Sequence, residues 1–200
     1  YTVSTPIGTG SYGEIYLANE HSSQSHQEQV ILKYLKPEKS KPNKLKQEYN
    51  MQKLFIGAPN IVQIKGIFKS EQGSHFLVTE YYNGGDLFDA MSDLKTKRQQ
   101  GVFSNLDIWT IGIRLSKNIA NGLKEIHKKH LIHRDIKPEN IFLRGQNPHD
   151  WVAYIGDFGF AIKIPERNME SYRFNIYDTS GTRGFIPPEK TPIQPLPAFD

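Results

Sequence analysis

His133-Arg134-Asp135-Ile136-Lys137-Pro138-Glu139-Asn140, followed by Asp157-Phe158-Gly159, is the stretch on which the reading of this sequence turns. Immediately upstream, Ile108, Ile111, Leu115, Ile119, Leu123 and Ile126 recur every three or four residues and predict a helix over 106–129. Residues 86–100 read as a shorter, polar helix ending before Gly101. Farther upstream the pattern changes. Residues 1–7, 14–19, 29–35, 61–68 and 74–80 are short runs rich in β-branched and aromatic residues, which predict strands. One helix, over 44–55, interrupts them, with Leu45, Tyr49 and Leu54 among its apolar positions. Downstream of the quoted stretch, short strands and loops run to Lys163, and a turn-rich remainder holds Pro187, Pro188, Pro192, Pro195 and Pro197. The layout predicts a small, mostly-β lobe over 1–80, a hinge at 81–83 and a helical lobe over 84–200.

Composition narrows the class. A chain of 200 residues can bury a substantial core, and 37% hydrophobic with 23% charged residues suits a globular protein. No apolar run approaches the roughly 18 residues of a membrane span. Tyr1-Thr2-Val3 leads straight into a glycine-rich turn, without a signal-peptide pattern. With no cysteine there is neither a disulfide framework nor a thiolate metal site, and an intracellular, cytoplasmic setting is expected. Net charge of +4 and a pI near 9.1 raise nucleic acid binding as a reading. The basic residues are scattered, however, with modest clusters at Lys95-Thr96-Lys97-Arg98 and around 39–46, so a solvated surface is expected and no nucleic acid partner.

Gly8-Thr9-Gly10-Ser11-Tyr12-Gly13 lies between two predicted strands. Glycines there let backbone approach a phosphate chain without Cβ obstruction, and they equally suit an ordinary hairpin. The strand–turn–strand context disfavours a dinucleotide site, which needs a helix after the glycines, and no G-x-x-x-x-G-K-[ST] run occurs. Val30-Ile31-Leu32-Lys33 ends a strand with a lysine, and Glu48 shares a helix face with Leu45 and Gln52. Each of these charges, taken alone, reads as solvated.

Together with the quoted stretch they form five elements in one order and spacing. In these the sequence resembles eukaryotic protein kinases of the serine/threonine class, the calcium/calmodulin-kinase-like or a related group, over essentially its whole length. The resemblance implies an α+β, bilobal protein kinase-like fold and an ATP-dependent phosphotransferase using Mg²⁺. It also implies roles. The backbone of Gly8, Gly10 and Gly13 would cover the phosphates, with Ile7 and Ile15 as further cofactor-binding positions. Lys33, oriented by Glu48, would hold the α- and β-phosphates. Asp135 would accept the substrate hydroxyl's proton, Lys137 would neutralise the γ-phosphate, and Asn140 and Asp157 would hold Mg²⁺. Adenine would meet the hinge at Glu80-Tyr81-Tyr82, with Thr79 as gatekeeper. Asp86 matches the position that contacts ribose or a basic substrate residue.

Lys137, two residues after Asp135, and Thr182 within Gly181-Thr182-Arg183-Gly184-Phe185-Ile186-Pro187-Pro188-Glu189 favour serine or threonine over tyrosine as acceptor. Glu139 and Asp86 together favour a basic residue N-terminal to the target. Arg134 implies pairing with a charged activation segment, for which Asp178 is a fixed negative candidate, with Tyr177, Thr179 and Ser180 as candidate phosphosites. Three departures stand out. Ile31 replaces the usual alanine above adenine and Phe142 the usual leucine below it. Gln52 replaces an apolar residue one turn after Glu48, which is expected to weaken the stack joining that helix to Phe158 and His133. A pseudokinase scaffold is therefore the rival reading, and a kinase of small molecules a weaker one. The chain is expected to be a cropped fragment of a kinase domain; its oligomeric state is open.

Overall fold

A computed structural model describes residues 1–10, 13–21, 28–35, 43–70, 73–164 and 180–186. Asp178, Tyr177, Thr179 and Pro187 to Glu189 lie outside the described residues.

Strands β1 (Thr2–Gly10), β2 (Gly13–Glu20), β3 (Glu28–Leu35), β4 (Ile64–Lys69) and β5 (His75–Glu80) form one antiparallel sheet in the order β1-β2-β3-β5-β4. Strand alternation sorts its two faces. Val30 and Leu32 join Ala18 and Val78 in a buried apolar cluster on one face. Ile31 and Lys33 must then point to the other. The register sets Ile15 opposite Lys33 and Ile31 opposite Thr79, so Ile15, Ile31, Lys33 and Thr79 share that second face. Helix α1 (Asn43–Gln52) covers part of it, with Leu45 packed on Ile64 and Leu77.

The second lobe contains α2 (Leu87–Gln99), α3 (Asn105–Lys128), the paired short strands β6 (Leu131–Ile132) and β9 (Ile162–Lys163), and the hairpin β7 (Ile141–Arg144) with β8 (Val152–Ile155). Asp86 accepts from the Asp89 N–H and caps α2, while Ser104 and Asp107 cap α3 reciprocally. The periodic residues of the predicted long helix face inward: Ile111, Leu115 and Ile126 are buried with Leu131, Ile141, Leu143, Ile155 and Phe158. The α+β, bilobal fold expected from the sequence is the fold observed. Among the described residues no helix is long and apolar enough to cross a membrane.

One strand begins later than its composition predicts. Residues 61–63 are not part of β4; Ile61 pairs in a lone parallel bridge with Ile155 and is buried in the second lobe's core. The reason lies at Asn60, which takes a left-handed backbone (φ 59°) and is anchored on three sides. Its Nδ2 donates to Ala153 O (2.9 Å), its Oδ1 accepts from Asn121 Nδ2 (2.9 Å), and its carbonyl accepts from Ile155 N (2.9 Å). Tertiary hydrogen bonds here override strand propensity.

Gly122 on α3 makes that anchoring possible. A Cβ there would stand 2.6 Å from Asn60 O and 3.0 Å from Ile155 Cδ1. Gly122→Ala is expected to lower stability by about 1–3 kcal/mol, although alanine favours a helix by about 1 kcal/mol. Denaturant unfolding checks this; a stabilised variant would contradict it.

Candidate active site

The site forms where the open sheet face meets the β7–β8 hairpin. Lys33 Nζ, on β3, donates to Glu48 Oε1 of α1 at 2.8 Å and to Asp157 Oδ1, just beyond β8, at 3.0 Å. Glu48 is buried, with 3% of its side chain exposed, whereas a third of the Asp157 side chain stays open. Burial pushes the Lys33 ammonium down, but the two carboxylates outweigh it and hold its pKa above the usual lysine value. Burial likewise pushes Asp157 up, and Lys33 pulls it below the usual carboxylate range. Lys33 and Asp157 are thereby stabilised in their charged forms, whereas burial pushes the Glu48 carboxyl up against the pull of Lys33.

Asp157 sits in a left-handed conformation (φ 57°), and its Oδ1 also accepts from Gly159 N at 3.2 Å. Such backbone strain in a non-glycine residue persists where surrounding contacts enforce it. They do so here. Phe158 is buried between Phe55 (centroids 5.3 Å apart) and His133 (4.9 Å), so the ring after Asp157 is pinned. His133 donates from Nε2 to Gly156 O (2.9 Å) and accepts at Nδ1 from Asp135 N (3.3 Å), which defines a neutral tautomer. Burial lowers its pKa, consistent with that state.

Asp135 is buried and heavily engaged. Its Oδ1 accepts from Thr182 N (2.8 Å) and Thr182 Oγ1 (2.6 Å), and its Oδ2 accepts from Asn140 Nδ2 (2.8 Å). Lys137 Nζ lies 3.6 Å from Asp135 Oδ2 and donates to Thr182 Oγ1 at 2.7 Å. The 3-10 turn Pro138–Asn140 brings Asn140 back under Asp135, where Nδ2 also donates to the Asp135 carbonyl (2.8 Å). Asp135, Lys137, Asn140 and Thr182 thus form one hydrogen-bonded group across 47 residues of chain.

The remaining predicted positions distribute as follows. Gly8 and Ile7 lie exposed on β1, and among the described residues a Cβ on Gly8 would meet nothing within 4 Å. Gly10 pairs with Gly13 at the end of the β1–β2 ladder. Ile15, Ile31, Thr79 and Phe142 are partly exposed. Phe142 packs against Gly156, where a Cβ would stand 2.7 Å from its ring, and forms a bridge with Asp86. Glu80 turns its carboxylate to Arg144 (2.6 Å), and the Tyr82 ring is buried against Tyr154 (4.6 Å) under the Arg144 guanidinium (4.6 Å). The side chains of Glu80 and Tyr82 are therefore turned to the β7–β8 hairpin, and the Glu80 N–H is bonded to Gln63 O at 3.0 Å.

The expected weakening of the stack by Gln52 needs correction. The stack runs through Phe55, and Gln52, 2% exposed, donates its amide to Val62 O at 2.9 Å. Sequence reasoning passed over Phe55, Gln63 and Arg144. Gln63 Nε2 donates to Ala58 O (3.1 Å) and Ile61 O (2.7 Å), and its Oε1 accepts from Gly57 N (2.7 Å), which shapes the turn after α1. Only the aromatic residue at the end of the predicted first helix offered a signal.

The protein kinase domain family model matches residues 1–195, and the chain belongs to this family. It is 30% identical over 184 residues to calcium-dependent protein kinase 4 of Plasmodium falciparum, which covers 92% of this chain and 31% of that protein. It is 36% identical over 195 residues to human serine/threonine-protein kinase Nek5, covering 94% of the chain and 24% of that protein. Against Aurora/IPL1-related protein kinase 2 of Caenorhabditis elegans identity is 27% over 190 residues, 94% of the chain and 55% of that protein. The chain thus spans between about a quarter and somewhat over half the length of these relatives.

Proposed function

We propose that this domain transfers the γ-phosphoryl group of ATP to a serine or threonine hydroxyl of a protein, with Mg²⁺ as cofactor. The observation that carries the reading is the assembled pair of clusters: Lys33 held between Glu48 and Asp157, and Asp135 held by Thr182 and Asn140.

The residues fit the groups they would take. Among the described residues nothing stands within 4 Å of a Cβ on Gly8, which suits a phosphate chain approaching backbone, and Ile15, Ile31, Thr79 and Phe142 stay partly exposed where an apolar base would cover them. Asn140 and the open part of Asp157 offer the oxygen donors a hard cation prefers. When bound, Mg²⁺ neutralises phosphate charge and organises the phosphate oxygens.

The protein's own groups would then act by position and charge, as a loose transition state requires. Lys33, kept protonated, would hold phosphate oxygens. Asp135 would orient the acceptor hydroxyl and take its proton at a carboxylate oxygen. Lys137 would offset charge arising on the transferred group. Thr182, bonded to both Asp135 and Lys137, would fix their spacing.

Glu139 and Asp86 are the acidic positions that a basic residue N-terminal to the target hydroxyl would meet in this reading. Peptide-library selection should enrich arginine N-terminal to the target; no basic preference would remove this part of the proposal.

The pseudokinase alternative predicts this fold without productive Mg·ATP binding. Calorimetry on the full-length chain distinguishes them. Mg²⁺-dependent ATP binding that Asp157→Asn weakens supports the catalytic reading, whereas absence of ATP binding by the folded chain contradicts it.

A further inference from the structure

Lys33 draws its two carboxylates from different parts of the chain: Glu48 from α1 and Asp157 from the end of β8. Something must fix the distance between those elements. The backbone of one residue touches both. Val62 N donates to Ile155 O at 2.9 Å, and Ile155 lies two residues before Asp157. Val62 O accepts from Gln52 Nε2 at 2.9 Å, and Gln52 lies one turn after Glu48 on the same face of α1. Val62 itself is 5% exposed and Gln52 2%, so water does not compete for either bond. The β8 side is rigid: Ile155 N is bonded to Asn60 O and Gly156 N to Asn140 O, each at 2.9 Å.

We propose that Gln52 is a positioning residue for the phosphate-binding lysine: through the Val62 backbone it ties the helix bearing Glu48 to the strand that leads into Asp157. A buried polar side chain at this point in a helix is otherwise unfavourable, and an apolar residue of equal size would fill the same volume. What the amide adds is direction. It fixes α1 along its axis, where apolar packing alone leaves the helix free to slide.

The role rests on the kinase reading only for its kinetic consequence, so the test has an arm without it. In the full-length chain, Gln52→Met keeps the side-chain length and removes the donor. Loss of the tether loosens α1 against β8, so hydrogen exchange of the α1 amides, read by mass spectrometry, is expected to run about threefold to tenfold faster in Q52M than in wild type, with the β2–β3 amides unchanged. The kcat for peptide phosphorylation should fall about tenfold, with the KM for peptide unchanged. Should Q52M lack a cooperative melt, Gln52→Asn, whose amide is one methylene too short to reach Val62, carries the same readouts. Unchanged α1 exchange in a folded variant overturns the proposal, whatever kcat does. A wild type that transfers no phosphate fails the kinase reading and leaves the exchange comparison to decide this one.

Discussion

Asp135→Asn is expected to lower kcat for peptide phosphorylation by about 10³-fold while nucleotide binding persists. Each oxygen of this carboxylate already accepts hydrogen bonds, Oδ1 from the Thr182 amide and hydroxyl and Oδ2 from Asn140. An amide can accept on one side only. If its oxygen faces Thr182, its NH₂ opposes the Asn140 donor; if it faces Asn140, the Thr182 donors lose their acceptor. In either orientation the group no longer takes a proton from the substrate hydroxyl. The substitution touches none of the Lys33 contacts, so the KM for ATP should hold within about threefold. A kcat within about tenfold of wild type would remove Asp135 from its assigned role.

Lys33→Met should damage stability as well as activity. Methionine fills the stem of the lysine but leaves Glu48, 3% exposed, without its cation. An orphaned buried charge costs about 3–5 kcal/mol, which can exceed the worth of the pair itself. The double variant Lys33→Met/Glu48→Gln should regain most of that loss, because a neutral amide costs less to bury, and should regain no phosphoryl transfer. The sign of the pH dependence follows. In Lys33→Met the Glu48 carboxyl is pushed up by burial without the Lys33 ammonium to oppose it, so the variant is relatively more stable at pH 5 than at pH 8. Denaturant melts at the two pH values check this. Equal stability of Lys33→Met and wild type at pH 8 would show that Glu48 is not dependent on the pair.

The sequence carried most of the site because its groups sit within short spans. Lys33 is two residues from Ile31 on one strand face, and Asp135, Lys137 and Asn140 fall within residues 135–140. Short ordered motifs of this kind are recognised by their resemblance to protein kinases, without knowledge of tertiary contacts. The contacts that brace them were not legible. The Asn60 anchor, the Gln63 amide within its turn and the Arg144 cover over Tyr82 each join a side chain to backbone or rings far along the chain. No local pattern marks an asparagine whose partners are Ala153 and Asn121. Gln52 shows the same limit from the other direction. As a departure from an apolar pattern it reads as a weakness, and only its bond to Val62 O reveals a tether. Strand β4 was misjudged at its start for a related reason, since Ile61 satisfies β-propensity by bridging Ile155 in the other lobe.

The central claim is phosphoryl transfer to serine or threonine. The most direct test incubates the full-length chain with Mg²⁺, γ-labelled ATP and a serine/threonine peptide containing arginine, then identifies the labelled amino acid. Label on serine or threonine, absent with Asp135→Asn, is the predicted result. Label on tyrosine, or no transfer by a folded chain that binds Mg·ATP, would contradict the account.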